Sequence, residues 1–138
     1  MVASRSLTIR VARVVSAVDG GRILNPTTAR SQIIGGVAGG IGMALLEETV
    51  SDRTGRPVNT SLADYVVAVN ADVQNVDVLF VGQPDSMTAL GTKGVGELAI
   101  VGMGAAIANA VYDATGVRLR RAPFRSERVL TALRAQST

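Results

Sequence analysis

NPTTARSQIIGGVAGGIGMALLEE, residues 25–48, sets the architecture of this chain. Asn25-Pro26 is a helix start: the Asn side chain can accept backbone N–H bonds as N-cap, and Pro is tolerated at the first helical position. The apolar residues that follow carry the predicted helix to about Glu48. Its interior holds Gly35, Gly36, Gly39, Gly40 and Gly42, each costing roughly 1 kcal/mol relative to Ala. Something must compensate. The spacing GGVAGGIG leaves one face bare, so that another backbone or a flat ligand can come close to the helix axis. Tight helix–helix or helix–sheet packing is the simpler of these two readings.

On the N-terminal side, Leu7, Ile9, Val11, Val14, Val15 and Val18 are near-alternating and largely β-branched, which predicts a strand over about residues 6–18 with an arginine-bearing outer face. Asp19-Gly20-Gly21 is a turn. On the C-terminal side, SDRTGRP (51–57) is a loop, and the segment through Tyr65 to Val69 is extended or briefly regular. Val76, Val78 and Phe80 predict a strand over about 75–81, and GQPDSMTALGTKG is turn chemistry. A second Gly/Ala-rich helix is expected over 98–114, stopped by Gly116. Val117 to Arg120 then reads as a short period-two strand, and Ser126-Glu127 opens a last helix to about Ala135. The resulting fold class is α+β: an open mixed sheet layered with Gly/Ala-rich helices, residues 1–138 forming a single domain.

Composition narrows the chemistry. At 138 residues the chain can bury a core but is small for a self-sufficient redox enzyme. Hydrophobic residues make up 47% and charged ones 18%, so disorder is excluded and much surface needs hiding, against a partner if not internally. The net charge of +3 comes from arginines near the two ends. With 3% aromatics there is no stacking platform for bases, and no nucleic-acid partner is expected. The chain has no Cys and no His, which removes thiolate ligation, His-based metal sites, Ser-His-Asp triads and the usual neutral-pH base. Acid–base work falls to Asp, Glu, Lys or Tyr. Arginines interrupt the apolar N-terminus, so no export signal is read there. The two longest uncharged runs, 33–46 and 98–112, are shorter than a membrane span and rich in Gly, and they read as buried helices.

GTKGVGELAIVG, residues 91–102, puts a lone acid, Glu97, behind a glycine-rich turn and ahead of the second helix. The turn is not a P-loop, because Thr92-Lys93 precede the glycine and the four-residue spacer is missing. It could still offer backbone N–H groups to an anion. Glu97 admits two readings: a first-turn carboxylate favourable to the helix dipole, worth about 0.3–1 kcal/mol, or a general base amid Val95, Leu98, Ile100 and Val101. The residues alone leave both open.

Taken in order, VDGGRILNPTTARSQIIGGVAGGIGMALLEE, LADYVVAVNADVQNVDVLFV, GTKGVGELAIVGMGAAIANAVYDATGVRLR and the closing RVLTAL resemble the C-terminal molybdenum-cofactor-binding region of the xanthine dehydrogenase and aldehyde oxidase family, the molybdenum hydroxylases, over about residues 15–133. The resemblance implies one lobe of a larger molybdenum-cofactor-binding domain. It implies that Glu97, in the Gly-x-Gly-Glu motif, is the general base activating the molybdenum-bound hydroxide. It assigns the amide of Gln32 to the pterin, and Lys93, Gly94, Val95 and Gly96 to a loop lying along the cofactor, mainly through backbone N–H groups. No residue of this chain is expected to ligate the metal. Many members have Pro-Pro after the motif Glu; here the sequence is Glu-Leu-Ala-Ile-Val-Gly, which is similar to the bacterial aldehyde oxidoreductase large subunits. YVVAVNADVQN lacks the Pro that usually follows Tyr65 and another near Asn75.

The resemblance further implies a molybdopterin-dependent oxidoreductase that oxidises aldehydes or N-heterocycles with water-derived oxygen. The cofactor would be a molybdenum–pterin, with the cytosine dinucleotide as one candidate form, and 2Fe-2S clusters and FAD on partner chains. Expected partners are the remainder of the large catalytic subunit, an iron–sulfur subunit, an FAD subunit and a small-molecule substrate; homo-oligomerisation stays open. Family catalytic subunits are several times longer, so the chain is expected to be a fragment or split subunit, inactive in isolation. The alternative is a non-catalytic truncated relic or interaction module without cofactor. A cytoplasmic location is expected, or a periplasmic one if the chain is exported with a partner.

Overall fold

The computed structural model describes residues 7–136. In chain order they form β1 (Val14–Asp19), α1 (Pro26–Leu45), β2 (Val76–Val81), a 3-10 turn (Leu98–Ile100), α2 (Met103–Thr115) and α3 (Ser126–Gln136). The class is α+β, as expected. The two strands of the described residues pair in parallel, with Val14 opposite Val76 and Asp19 opposite Val81. Parallel neighbours need a crossover long enough to return the chain to the same end, and α1 lies in that crossover.

Helix α1 starts as its sequence dictates. The Asn25 side chain accepts from the N–H groups of Thr27 and Thr28, both at 3.1 Å, and Pro26 takes the first helical position. Ile33, Val37 and Ile41, spaced by four, lie on one side of the helix and are essentially inaccessible to water. Val18, Met103, Ile107, Phe124 and Val129 join them in one core. The helix stops at Leu45 rather than near Glu48, because the N–H groups of Leu46 and Glu47 both turn onto the Gly42 carbonyl at 2.8 Å. The released Glu48 reaches α3 instead, pairing with Arg128 at 2.5 Å and Arg125 at 3.5 Å. Hydrogen bonding from Arg128 holds its carboxyl below the ordinary value. The N–H of Phe124 caps the same end by donating to Ala44 at 2.6 Å.

The bare face of α1 is filled by protein. A Cβ on Gly36 would lie 3.1 Å from Ala99 Cβ and 3.2 Å from the backbone N of Ile100. One on Gly39 would lie 3.3 Å from Ile100 Cδ1, and one on Gly40 2.6 Å from Met103 Cγ. The partner advances from 99 to 103 as the helix advances from 36 to 40, so the two segments run in the same direction. Gly35, on the other side, meets nothing within 4 Å.

Four expectations are corrected. The first strand was expected from about residue 6, which lies outside the described residues; of those described, 7–13 are extended without a ladder, and pairing begins at Val14. Residues 117–120 form no strand: Val117 is buried and Leu119 packs on the core, but no neighbouring strand lies alongside among the described residues. Residues 61–65 form a turn and 66–69 no regular element, in keeping with the expectation there, and Val66, Val67 and Val69 are exposed. The helix expected over 98–114 is broken into a 3-10 turn and the thirteen-residue α2, which ends where Gly116 adopts φ +72°. Nor is α2 a buried helix. Met103, Ile107 and Val111 are buried, while Ala105, Ala106, Ala110 and Ala114 are exposed. The segment Leu98–Thr115 has a mean hydropathy of 1.3, but α2 alone extends only about 20 Å.

Candidate functional site

The turn at residues 91–97 is fastened at its base and open at its tip. At the base, Gly91 adopts φ +70°, and a Cβ there would sit 2.9 Å from Pro84 Cβ. Its carbonyl accepts from Arg22 N–H at 2.7 Å and Asp85 N–H at 2.9 Å. Thr92 bridges to Gly21, and Lys93 N–H donates to the Gly20 carbonyl at 2.9 Å. The 91–93 segment therefore runs beside the turn that follows β1, and Val95 packs on Gly20, where a Cβ would fall 2.7 Å from Val95 Cγ1.

One carboxylate ties these segments together. Asp19, at the end of β1, accepts from Lys93 Nζ at 2.5 Å through one oxygen and from Gly21 N–H at 3.0 Å through the other. The Lys93 hydrogen bond is the main reason its carboxyl is held below the ordinary value, followed by the Gly21 N–H. Gly82, at φ +98°, leaves the space that this carboxylate fills. Sequence reasoning took Asp19 only as a turn residue. The partnership with Lys93 spans 74 positions, and nothing local announces it.

At the tip the geometry reverses. Among the described residues, the adjoining ones in the chain aside, no atom lies within 4 Å of where a Cβ would stand on Gly94 or Gly96. Among the described residues, the backbone N–H groups of Gly94, Val95, Gly96 and Glu97 have no acceptor. The chain then closes into the 3-10 turn, with Leu98 N–H on the Val95 carbonyl and Ile100 N–H on that of Glu97, both at 3.0 Å. Four consecutive donors are thus left unpaired in a segment where two residues carry no side chain. Unpaired backbone donors suit an anionic or heteroatom-rich group.

Glu97 is exposed, and its carboxylate has no hydrogen-bond or ion-pair partner among the described residues. The helix-dipole reading loses its geometry, because α2 begins six residues later and the intervening 3-10 turn is one turn long. Of the apolar residues flanking it in sequence, Ile100 is turned down onto α1 and Val95 onto Gly20, whereas Leu98 and Val101 stay exposed beside it. Gln32 is exposed on α1, its amide likewise without a partner among the described residues. It stands one turn before Gly36, on the helix whose bare face receives Ala99 and Ile100. Lys93 is held at both ends, its ammonium by Asp19 and its N–H by the Gly20 carbonyl.

Comparison with known proteins bears on this arrangement. A family model described as "Molybdopterin cofactor-binding domain" matches residues 2–74, which contain β1, α1 and Gln32. The chain belongs to the molybdopterin cofactor-binding domain family. The aldehyde oxidoreductase molybdenum-binding subunit PaoC of Escherichia coli K12 is 47% identical over 91% of the chain, a span too long to leave out residues 91–97. The xanthine dehydrogenase molybdenum-binding subunit of Escherichia coli O157:H7 is 37% identical over 88% of the chain. Among solved structures, quinoline 2-oxidoreductase from Pseudomonas putida 86 superimposes with a TM-score of 0.88 at 30% identity, covering 95% of the chain. The molybdopterin-domain segment seen here spans only 17%, 16% and 17% of the lengths of these three proteins.

Proposed function

We propose that this chain is the part of a molybdenum–pterin hydroxylase that lays the 91–97 turn along the cofactor and supplies the catalytic base, Glu97. The observation that carries this reading is the run of four unpaired N–H groups at residues 94–97, open beside a carboxylate without a partner. The residues fit a large flat anion: Gly94 and Gly96 let it approach the backbone, the N–H groups of 94–97 bind its oxygens and heteroatoms, and the free amide of Gln32 supplies a further hydrogen-bonding group. The Asp19–Lys93 pair holds the turn still. When bound, the cofactor supplies a two-electron acceptor for the substrate. Glu97 takes the proton of the water-derived oxygen that the substrate gains, which needs a carboxylate not already committed to another group. The chain contributes acid–base and hydrogen-bonding groups to the site.

The name of PaoC supports aldehydes as the substrate class, and that of quinoline 2-oxidoreductase keeps N-heterocycles as the second. The full enzyme comprises this lobe, residues 1–138 folding as one domain, the remainder of the large subunit, and iron–sulfur and FAD subunits; its pterin carries a cytosine dinucleotide, and it works in the cytoplasm. A cofactor-free relic is favoured only by the short span relative to the relatives.

The test is assembly with the remainder of a large subunit, followed by molybdenum and pterin analysis and aldehyde turnover. The isolated chain is expected to hold no stoichiometric molybdenum, and the assembled parent to hold a full complement. Glu97→Gln should retain cofactor and lose about 10²–10⁴-fold in turnover. Turnover at the parent rate overturns the base assignment, and an assembled parent without molybdenum establishes the relic.

A further inference from the structure

An open apolar groove of about 1170 Å³ runs between β1 and α2. Its lining comes from residues 7–19, from 98–115 and from Val129, and none of it from β2. The groove therefore lies on the side of β1 away from its only partner among the described residues. Val14 N–H donates to the Asn75 carbonyl at 2.8 Å, and in a parallel pair every second residue points its N–H and C=O at a given neighbour. Val14, Ser16 and Val18 thus serve β2, while Val15 and Ala17 present their backbone groups to the groove. Across it lies the exposed side of α2, kept low by Ala106 and Ala110.

The dimensions match one kind of occupant. Six residues of β1 extend about 20 Å, and so do the thirteen of α2. The vacant position beside β1 and over α2 is the place of one further strand, bonded to β1 and resting its apolar side chains on the helix. Lone edges are normally blunted by Lys, Pro or a bulge. VVSAVD has none of these, and Arg13 just before it is turned toward β2, where it pairs with Asp77 at 2.8 Å. Parallel sheets are also normally covered on both faces, yet Val15, Leu79 and Val81 are about half exposed.

We infer that the free edge of β1 and the groove over α2 receive a β-strand from the remainder of the molybdenum-binding subunit. That remainder amounts to about five-sixths of the length of the relatives, since the matching segment is 17% of PaoC. The inference rests on the functional reading above, in which the chain is one piece of such a subunit.

The probe is Escherichia coli PaoC lacking the 127-residue segment that matches this chain, co-expressed with the tagged full chain. The two are expected to co-purify in equal amounts. In the complex the Val15 and Ala17 amides should exchange at least 100-fold more slowly than in the chain alone, with Ser16 and Val18 protected in both. Ala17→Pro removes an outward N–H without touching a bond to β2, and Ala110→Trp fills the groove from the opposite wall. Each should weaken capture at least tenfold, while Met87→Asp, outside the groove, should not. Failure of the parent to co-purify, fast Val15 and Ala17 amides in the complex, or undiminished capture by Ala110→Trp overturns the inference. Protection of the same amides in the chain alone overturns it too, because the chain or a second copy then fills its own groove. A protected complex without molybdenum keeps the docking inference and refutes the functional reading; a molybdenum-loaded complex with fast amides does the reverse.

Discussion

The glycines of α1 and the glycines of the 91–97 turn are the same residue put to opposite uses. At Gly36, Gly39 and Gly40 the missing side chain is replaced at once by Ala99, Ile100 and Met103. At Gly94 and Gly96 it is replaced by nothing among the described residues. In the helix the absence serves packing and compensates the poor helix propensity by bringing a neighbour close. In the turn it leaves backbone donors uncovered, which is tolerable at a surface and useful only to something that comes to them. A glycine-rich stretch becomes informative about ligands only when what fills the missing volume is known.

The sharpest test of this contrast is a bulky side chain at both places. Gly40→Val is expected to destabilise by about 3 kcal/mol in denaturant unfolding, at the upper end of overpacking effects, because Met103 already occupies the space. Gly36→Val should follow closely, since a backbone N stands in its way. Gly94→Val should stay within about 0.5 kcal/mol of the parent. Comparable losses at Gly94 and Gly40 would abolish the distinction.

A smaller effect separates the base of the turn from its tip. Gly91→Ala is expected to cost about 1–2 kcal/mol, because φ +70° is unfavourable to a side chain, whereas Gly96→Ala should be neutral in the same unfolding measurement. Smaller again is a gain within α1: Gly35→Ala should stabilise by roughly 0.5–1 kcal/mol, with open space around it, while Gly36→Ala, one residue on, should not stabilise. Matching melting shifts for the two would mean that the helix face is not closed.

The least of the effects is a pH dependence. The Asp19 carboxyl is lowered from 3.8 in the folded chain, chiefly by Lys93. A depressed carboxyl contributes stability that is present above its unfolded value and lost as pH falls through its folded value. The difference in unfolding midpoint between the parent and Asp19→Asn should therefore be constant above about pH 5 and shrink below 3.8. It should also shrink in salt, both partners being over one-third exposed. A difference that persists unchanged into acid would show that Asp19 holds the turn by shape alone.

What the sequence disclosed and what it hid follow from the range of the forces involved. The start of α1 was legible because Asn25 and Pro26 act on residues two or three positions away, and β2 because six residues alternate against a helix. Residues 7–13 and 117–120 misled for one shared reason. Alternation such as Leu7, Ile9, Val11 or Val117, Leu119 reports one-sided burial, and the structure buries Val117 and partly buries the others, but a strand also needs a neighbour and none is present among the described residues. In the candidate site, Glu97, Gln32 and the glycines could be named from a resemblance of motifs. The clamp formed by Asp19 and Gly82 could not, because it exists only once β1 and the turn meet.

The notch cut into α1 also governs how the molecule can move. Sliding a helix by one residue along its screw advances it by about 1.5 Å and turns it by about 100°, which would carry Val37 or Ile41 to where Gly36 or Gly40 now stands, against the backbone of Ile100 and the side chain of Met103. Small slips are therefore obstructed, and what remains is either a tilt about the contact or full separation. A seat of this kind has almost no play along its length. The position of residues 99–103 along α1 is fixed by atoms that are missing from the helix.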